Sequence, residues 1–166
     1  MYGTVSGWKD YAADRAQAAV ADADDPALEA ALIRGSVALD AMYRDRYLGS
    51  KGGGREQQRA WPRLNVTDRN GNAVPDGEVP FEVEHSAYEV ALRELTAPGS
   101  MSPDLANSRE VRSESASVDG AVSESFTYSD YFRLSELRPV LMIVEGIIWP
   151  VVRDDNRGRM MFSSVG

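Results

Sequence analysis

The fold class is decided by the stretch DPALEAALIRGSVALDAMY, residues 25–43. Its first residue, Asp25, is a typical N-cap, and Pro26 suits the first position of a helix because no amide donor is needed there. Apolar side chains then recur every three or four residues, which is the period of one helix face. We predict a helix from Pro26 to about Tyr47 whose inward stripe consists of Leu28, Ala31, Leu32, Val37, Leu39, Met42 and Tyr43.

The same periodicity predicts three more helices. A short one follows Ser6, a second spans about 80–95, and a third spans about 134–149. The expected fold is therefore mainly α, a small bundle of about four helices with one projecting β-hairpin. We assign residues 1–152 to this domain and residues 153–166 to an extended C-terminal tail.

The projecting hairpin is predicted over residues 109–128, where Asp119-Gly120 can supply a two-residue turn. Neither of its faces is apolar enough for a core, and an isolated two-stranded hairpin is marginal in water. We therefore expect it to contact a neighbouring subunit. The expected contact residues are Val111, Arg112, Glu114, Asp119, Gly120, Glu124, Phe126 and Tyr128. A second turn signal, Asn70-Gly71, predicts a tight turn or a miniature hairpin within residues 66–74.

The composition restricts the classes of function. The chain has 166 residues and a formal net charge of −8, which favours solubility and disfavours wholesale coating of nucleic acid. The absence of cysteine excludes disulfides, thiolate zinc sites and cysteine nucleophiles. The first residues lack the pattern of a signal peptide. The longest apolar stretch, residues 139–152, is too short to span a bilayer and contains Glu145, so no membrane contact is expected.

Positive charge is concentrated in one part of the chain. Six cationic side chains stand against only Asp45 and Glu56, a local excess of four positive charges. Such a cluster could contact phosphate, pair with acidic patches on a neighbouring copy, or simply flank a solvated loop. Its members are Arg44, Arg46, Lys51, Arg55, Arg59 and Arg63.

Three patterns resemble catalytic or ligand-binding motifs, and each fails a chemical requirement. His85 is the single histidine, and its sequence neighbours on a helix would not face it. Asp68-x-Asn70-x-Asn72 copies the start of a calcium loop but lacks the glycine and the glutamate that such a loop needs. The glycines within residues 49–54 lack the order of a phosphate-binding loop. We predict a protein that is not an enzyme and has no cofactor or metal site.

Three short motifs carry a resemblance to a known family. They are Tyr2-Gly3-Thr4-Val5, then Ala30-Ala31-Leu32-Ile33-Arg34, then Gln58-Arg-Ala-Trp61-Pro62-Arg63. With the helix from Pro80, the polar hairpin and the apolar helix after them, they resemble the head–tail connector proteins of tailed phages, also called adaptor or head-completion proteins. A related set is labelled DnaT-like single-stranded DNA-binding protein. The resemblance covers residues 2–150.

The resemblance implies a structural virion protein of the phage neck. Such connectors form a cyclic ring of about twelve copies below the portal protein and continue the DNA channel toward the next neck or tail-completion protein. Packaged DNA passes through without specific binding. Trp61 and Pro62 are expected to fix the start of the 61–75 segment against the bundle. The C-terminal tail is expected to dock on the portal through Arg153, Arg157, Arg159 and Phe162.

Two alternatives stay open from the sequence. The first is a single-stranded DNA-binding or primosome-like protein, in which the cationic cluster contacts phosphates and Trp61 stacks on bases. The second is a minor-tail or chaperone role.

Overall fold

A computed structural model describes residues 1–102 and 141–154. The predicted hairpin 109–128, the first part of the predicted last helix and the tail from residue 155 onward lie outside the described residues. Within the described residues, no helix is long and apolar enough to cross a bilayer. The helices are α1 (Val5–Ala13), α2 (Ala18–Asp22), α3 (Asp25–Tyr43), α4 (Phe81–Thr96) and α5 (Met142–Ile148), the last followed by a 3-10 turn, Trp149–Val151. The prediction of a mainly α fold is confirmed.

Four short strands form two separate antiparallel pairs between α3 and α4. They are β1 (Ser50–Lys51), β2 (Arg63–Leu64), β3 (Val66–Thr67) and β4 (Ala73–Val74), with β1 paired to β2 and β3 to β4. The β3–β4 pair is the predicted miniature hairpin. In its turn the Asp68 carboxylate accepts hydrogen bonds from the amides of Asn70 and Asn72, both at 2.8 Å. Gly71 has φ of +88°, a conformation that glycine adopts without steric cost.

Three details predicted for α3 are wrong. Its N-cap is Asp24, whose carboxylate accepts a hydrogen bond from the Ala27 amide at 2.9 Å, and Asp25 is the first helical residue. The helix also ends at Tyr43 rather than near Tyr47. Val37 is 49% exposed and does not belong to the inward stripe. It lies about 200° around the helix axis from the buried Leu39, because each residue turns the helix by about 100°.

The core is built around the contact between α3 and α4. A Cβ atom at Gly35 of α3 would lie 2.7 Å from the backbone nitrogen of Ala91 of α4, so only glycine permits this close approach. Trp8 from α1 and Trp61 from the loop before β2 are buried in the same core. Other fully buried side chains are Leu28, Leu32 and Leu39 of α3 and Val83 and Val90 of α4.

Candidate functional site

A polar groove lies beside the second half of α3. It has a volume of about 420 Å³. Four cationic and two acidic side chains line it, together with the exposed side of Val37. We call it the cationic groove, and its lining residues are Val37, Asp40, Arg44, Asp45, Lys51, Gln58, Arg59, Ala60 and Arg63.

The structure brings together four of the six cations that the sequence singled out. Arg44 and Lys51 are exposed at the groove, and Arg59 is partly buried in its wall. Arg46 does not line the groove, since its guanidinium binds both carboxylate oxygens of Glu145 at 2.9 and 3.2 Å. Arg55 is exposed in the glycine-rich loop between β1 and β2 and does not line the groove either. Four members of the cationic cluster therefore line the groove, and Arg46 and Arg55 do not.

Arg63 lines the groove but is mainly part of the fold. It is 8% exposed, and its guanidinium donates hydrogen bonds to the carbonyl oxygens of Leu48 and Gly49 at 2.6 and 2.7 Å. A third bond reaches the carbonyl of Ala60 at 3.3 Å. Burial lowers the pKa of this guanidinium from its ordinary value. Arg63 thus joins the loop after α3 to β2. Although its side chain is buried, its positive charge adds to the electrostatic potential in the groove.

Asp40 organises the groove wall. It is 6% exposed, and its Oδ1 accepts a hydrogen bond from the hydroxyl of Tyr2 at 2.5 Å. Its Oδ2 accepts a hydrogen bond from the amide of Ala60 at 3.2 Å and lies 3.8 Å from Nη1 of Arg59. The amide of Trp61 in turn donates to the Tyr2 hydroxyl at 3.1 Å. One buried carboxylate therefore connects the N-terminal segment, α3 and the loop that carries Arg59.

Two of the sequence motifs, residues 2–5 and residues 58–63, meet in this network. Burial and the hydrogen bond to Asp40 raise the pKa of Tyr2, so the phenol stays protonated. The Tyr2 amide also donates to Oγ of Ser36 at 2.9 Å, which fixes the segment against α3. Sequence reasoning missed this network because its partners are 20 to 59 residues apart. The available signal was Asp40 itself, an acidic residue within an apolar helix.

Trp61 does not offer a surface for base stacking. Its side chain is 2% exposed, and it packs edge-on against Tyr47 with ring centroids 5.7 Å apart. The peptide bond between Trp61 and Pro62 is cis. The stacking role considered for Trp61 is therefore wrong, and its burial supports the alternative expectation that it anchors the following segment to the bundle.

The remaining predicted residues fall in three places. The hairpin residues Val111 to Tyr128 and the tail residues Arg157, Arg159 and Phe162 lie outside the described residues. Arg153 is exposed, and its amide donates to the carbonyl of Arg46 at 2.7 Å. His85 of α4 packs against the Tyr11 ring at 4.7 Å, and burial lowers its pKa. Among the residues that the structure describes, no three His, Asp or Glu side chains are placed to hold a metal ion.

A second surface feature is the outer face of α5 together with the 3-10 turn that follows it. Met142 is 78% exposed, and Ile143 and Trp149 are about half exposed. The guanidinium of Arg69 lies 4.6 Å from the centre of a Trp149 ring, which is within the range of a cation–π contact. Large apolar side chains that are grouped and exposed commonly mark a contact with another protein.

Comparison with known proteins identifies the family of this chain. No curated protein and no solved structure matches the chain. One family sequence model matches residues 1–165, nearly the whole length. The chain therefore belongs to the family described as "Putative DnaT-like ssDNA binding protein".

Proposed function

We propose that this protein binds single-stranded DNA through the cationic groove. The observation that carries the proposal is the convergence of four cationic side chains on one groove, in a chain whose net charge is −8. The description of the family supports the choice of ligand. The role proposed is binding without catalysis, and it needs no cofactor.

The groove chemistry fits the sugar–phosphate backbone of the strand. Arg44 and Lys51 are exposed and can approach phosphate oxygens directly, and Arg59 can do so from the wall. Asp40 and Asp45 reduce the excess in the groove to two positive charges, since four cations face two carboxylates. Binding is therefore expected to be weak and sensitive to salt.

Among the described residues, the groove has no aromatic side chain on which bases could stack. The lining residues in this part of the chain are not aromatic, and the nearby Trp61 is buried. Base stacking supplies much of the affinity of dedicated single-strand binding proteins, about 1–3 kcal/mol per base. Without it, contact is limited to the backbone, so we expect little preference between base sequences.

Fluorescence anisotropy of a labelled oligothymidylate, titrated at several salt concentrations, tests this proposal. With about three phosphate contacts, the logarithm of affinity should fall with the logarithm of salt with a slope near −2, because single strands give about −0.7 per contact. The variants Arg44→Ala and Lys51→Ala should each weaken binding several-fold. Arg93→Ala removes an exposed cation of α4 outside the groove lining and is the matched control. An equal loss in the control, or no binding at low salt, would refute the proposal.

A second function is favoured by a different observation, the exposed apolar face of α5. We propose as the alternative that the protein is a ring-forming head–tail adaptor of about twelve copies in the neck of a phage particle. It would dock below the portal protein, contact the next neck or tail-completion protein, and let DNA pass without specific binding. Its acidic net charge agrees with free passage of DNA.

Imaging of native particles separates the two functions. Cyclic density at the neck supports the adaptor, and absence of the protein from purified particles excludes it.

Deletion of residues 112–127 supplies a second test, because the adaptor proposal requires the hairpin to lie between subunits. The deleted protein should keep a folded helical body, seen by circular dichroism, and should lose ring assembly. Intact assembly after the deletion would contradict the proposed hairpin contact.

A further inference from the structure

The loop between β1 and β2 contains three consecutive glycines, residues 52–54. Glycine loses more conformational freedom on folding than any other residue, so a loop of this composition keeps one shape only where other groups hold it. At Gly54 the chain adopts φ of +56°, and a Cβ atom there would meet nothing within 4 Å. Close packing around Gly54 therefore does not hold the loop, and its shape depends on contacts made by other residues.

Gln57 makes these contacts with its side-chain amide. The Oε1 atom accepts a hydrogen bond from the amide of Gly53 at 2.9 Å. The Nε2 atom donates to the carbonyl oxygens of Arg59 and Pro62 at 3.0 and 2.8 Å. A glutamine amide has two N–H donors, and both are used here. One half-buried side chain thus joins the glycines to the segment that leads into β2.

The position of Lys51 depends on the same loop. Its ammonium donates a hydrogen bond to the backbone carbonyl of Gln57 at 2.8 Å, and its side chain lines the cationic groove. An ammonium has three donors, so two remain for phosphate oxygens. A lysine that is already held in one orientation loses less rotamer freedom when an anion binds. Lys51 is therefore preorganised for phosphate only while the carbonyl of residue 57 stays in place.

We infer that Gln57 is a positioning residue of the cationic groove. Its amide holds the loop so that the carbonyl of residue 57 meets Lys51 and the backbone of Arg59 stays beside the groove. Gln57 is not among the groove-lining residues in the described part of the chain, so it acts through its neighbours and does not touch the strand. The inference rests on the proposed function for its ligand, single-stranded DNA, but the effect on Lys51 is present without a ligand.

Acetylation of lysine tests this effect without DNA, because the chain has just two lysines, Lys9 and Lys51. Lys9 forms an ion pair with Asp25 and is the internal reference. The full chain is treated briefly with acetic anhydride, and peptide mass spectrometry gives the ratio of modification at Lys51 to that at Lys9. Gln57→Met keeps a long unbranched side chain but lacks the amide. It should raise this ratio several-fold, because the released ammonium of Lys51 is more accessible to the reagent.

Asn72→Leu is the matched control. It also replaces a side-chain amide by an apolar group, and it breaks the hydrogen bond from Asn72 Nδ2 to Asp68 in the turn between β3 and β4, outside the groove lining. It should leave the acetylation ratio unchanged. Circular dichroism checks that each variant is folded. An unchanged ratio in Gln57→Met, or an equal rise in both variants, would overturn the inference.

Oligothymidylate binding, measured by anisotropy at low salt, tests the consequence for the proposed function. Gln57→Met should weaken binding about fivefold in the native protein and less than about twofold in Lys51→Ala, because a residue that acts through Lys51 loses most of its effect when Lys51 is absent. Asn72→Leu should bind normally. No loss in Gln57→Met, or an equal loss in both backgrounds, would overturn the inference. No binding by the native protein would instead refute the proposed function, and the acetylation ratio would still decide the role of Gln57.

Discussion

Replacement of Asp40 should lower stability by an amount that can be worked from its contacts. In Asp40→Ala, the Tyr2 hydroxyl and the Ala60 amide both lose a charged acceptor while remaining buried. Hydrogen bonds to charged groups contribute about 1.5–3 kcal/mol each, so the loss in the free energy of unfolding should be about 3–6 kcal/mol. That is a large part of the total of about 5–15 kcal/mol for a typical protein. Asp40→Asn keeps one carbonyl acceptor and should lose about half as much.

The measurement is urea unfolding followed by circular dichroism. Asp45→Ala is the matched control, since Asp45 is an exposed carboxylate that lines the same groove, and it should change stability by no more than about 0.5 kcal/mol. The network would be refuted as a stabilising element if Asp40→Ala cost less than about 1 kcal/mol. Asp40→Asn and Asp45→Asn should both raise affinity for an oligonucleotide, because each removes a negative charge from the groove.

Three further predictions concern other parts of the fold. Burial acts to raise the pKa of Glu94, but hydrogen bonds from two loop amides and from Arg34 outweigh burial and hold this pKa below its ordinary value of 4.5. The stability that the Glu94 carboxylate contributes should therefore be present above pH 4.5 and be lost as the pH falls. Thermal unfolding should show a smaller acid loss of stability in Glu94→Gln than in the native protein, and an unchanged loss would contradict this expectation. Burial and hydrogen bonds to carboxylates raise the pKa of Tyr11 and Tyr43 above the ordinary value of 10. The stability that these two phenols contribute should therefore be complete below pH 10 and fall above it, which tyrosinate absorbance and unfolding experiments would record. Titration of both phenols at the ordinary pKa would contradict this expectation. Gly35→Ala should cost about 1–3 kcal/mol in urea unfolding, because its Cβ would meet the backbone of α4, whereas the matched Gly146→Ala, with open space around it, should cost nothing.

The helices could be predicted because their signals are local. Asp24, Asp25 and Pro26 mark the start of α3, and the spacing of Leu28, Leu32 and Leu39 marks its buried face. The predicted N-cap, Asp25, is one residue after the observed one, Asp24, because either of two adjacent aspartates can cap a helix. Propensity does not distinguish them, and only the bond to the Ala27 amide does.

The candidate site could be predicted only in part, because its organisation depends on contacts between distant residues. The excess of positive charge was visible in the sequence, but the sequence did not show that Glu145 would bind Arg46 or that Arg63 would be buried. Trp61 illustrates the same limit. An aromatic next to several cations is compatible with base stacking or with a core, and the packing against Tyr47 decides for the core.

Amide hydrogen exchange of the full chain, with and without an oligothymidylate at low salt, can locate single-stranded DNA in the cationic groove. Added protection is expected at residues 44–63, the segment that lines the groove, and none is expected in α1 and α2. Protection elsewhere with none at residues 44–63, or no protection at any residue, would contradict binding in the groove.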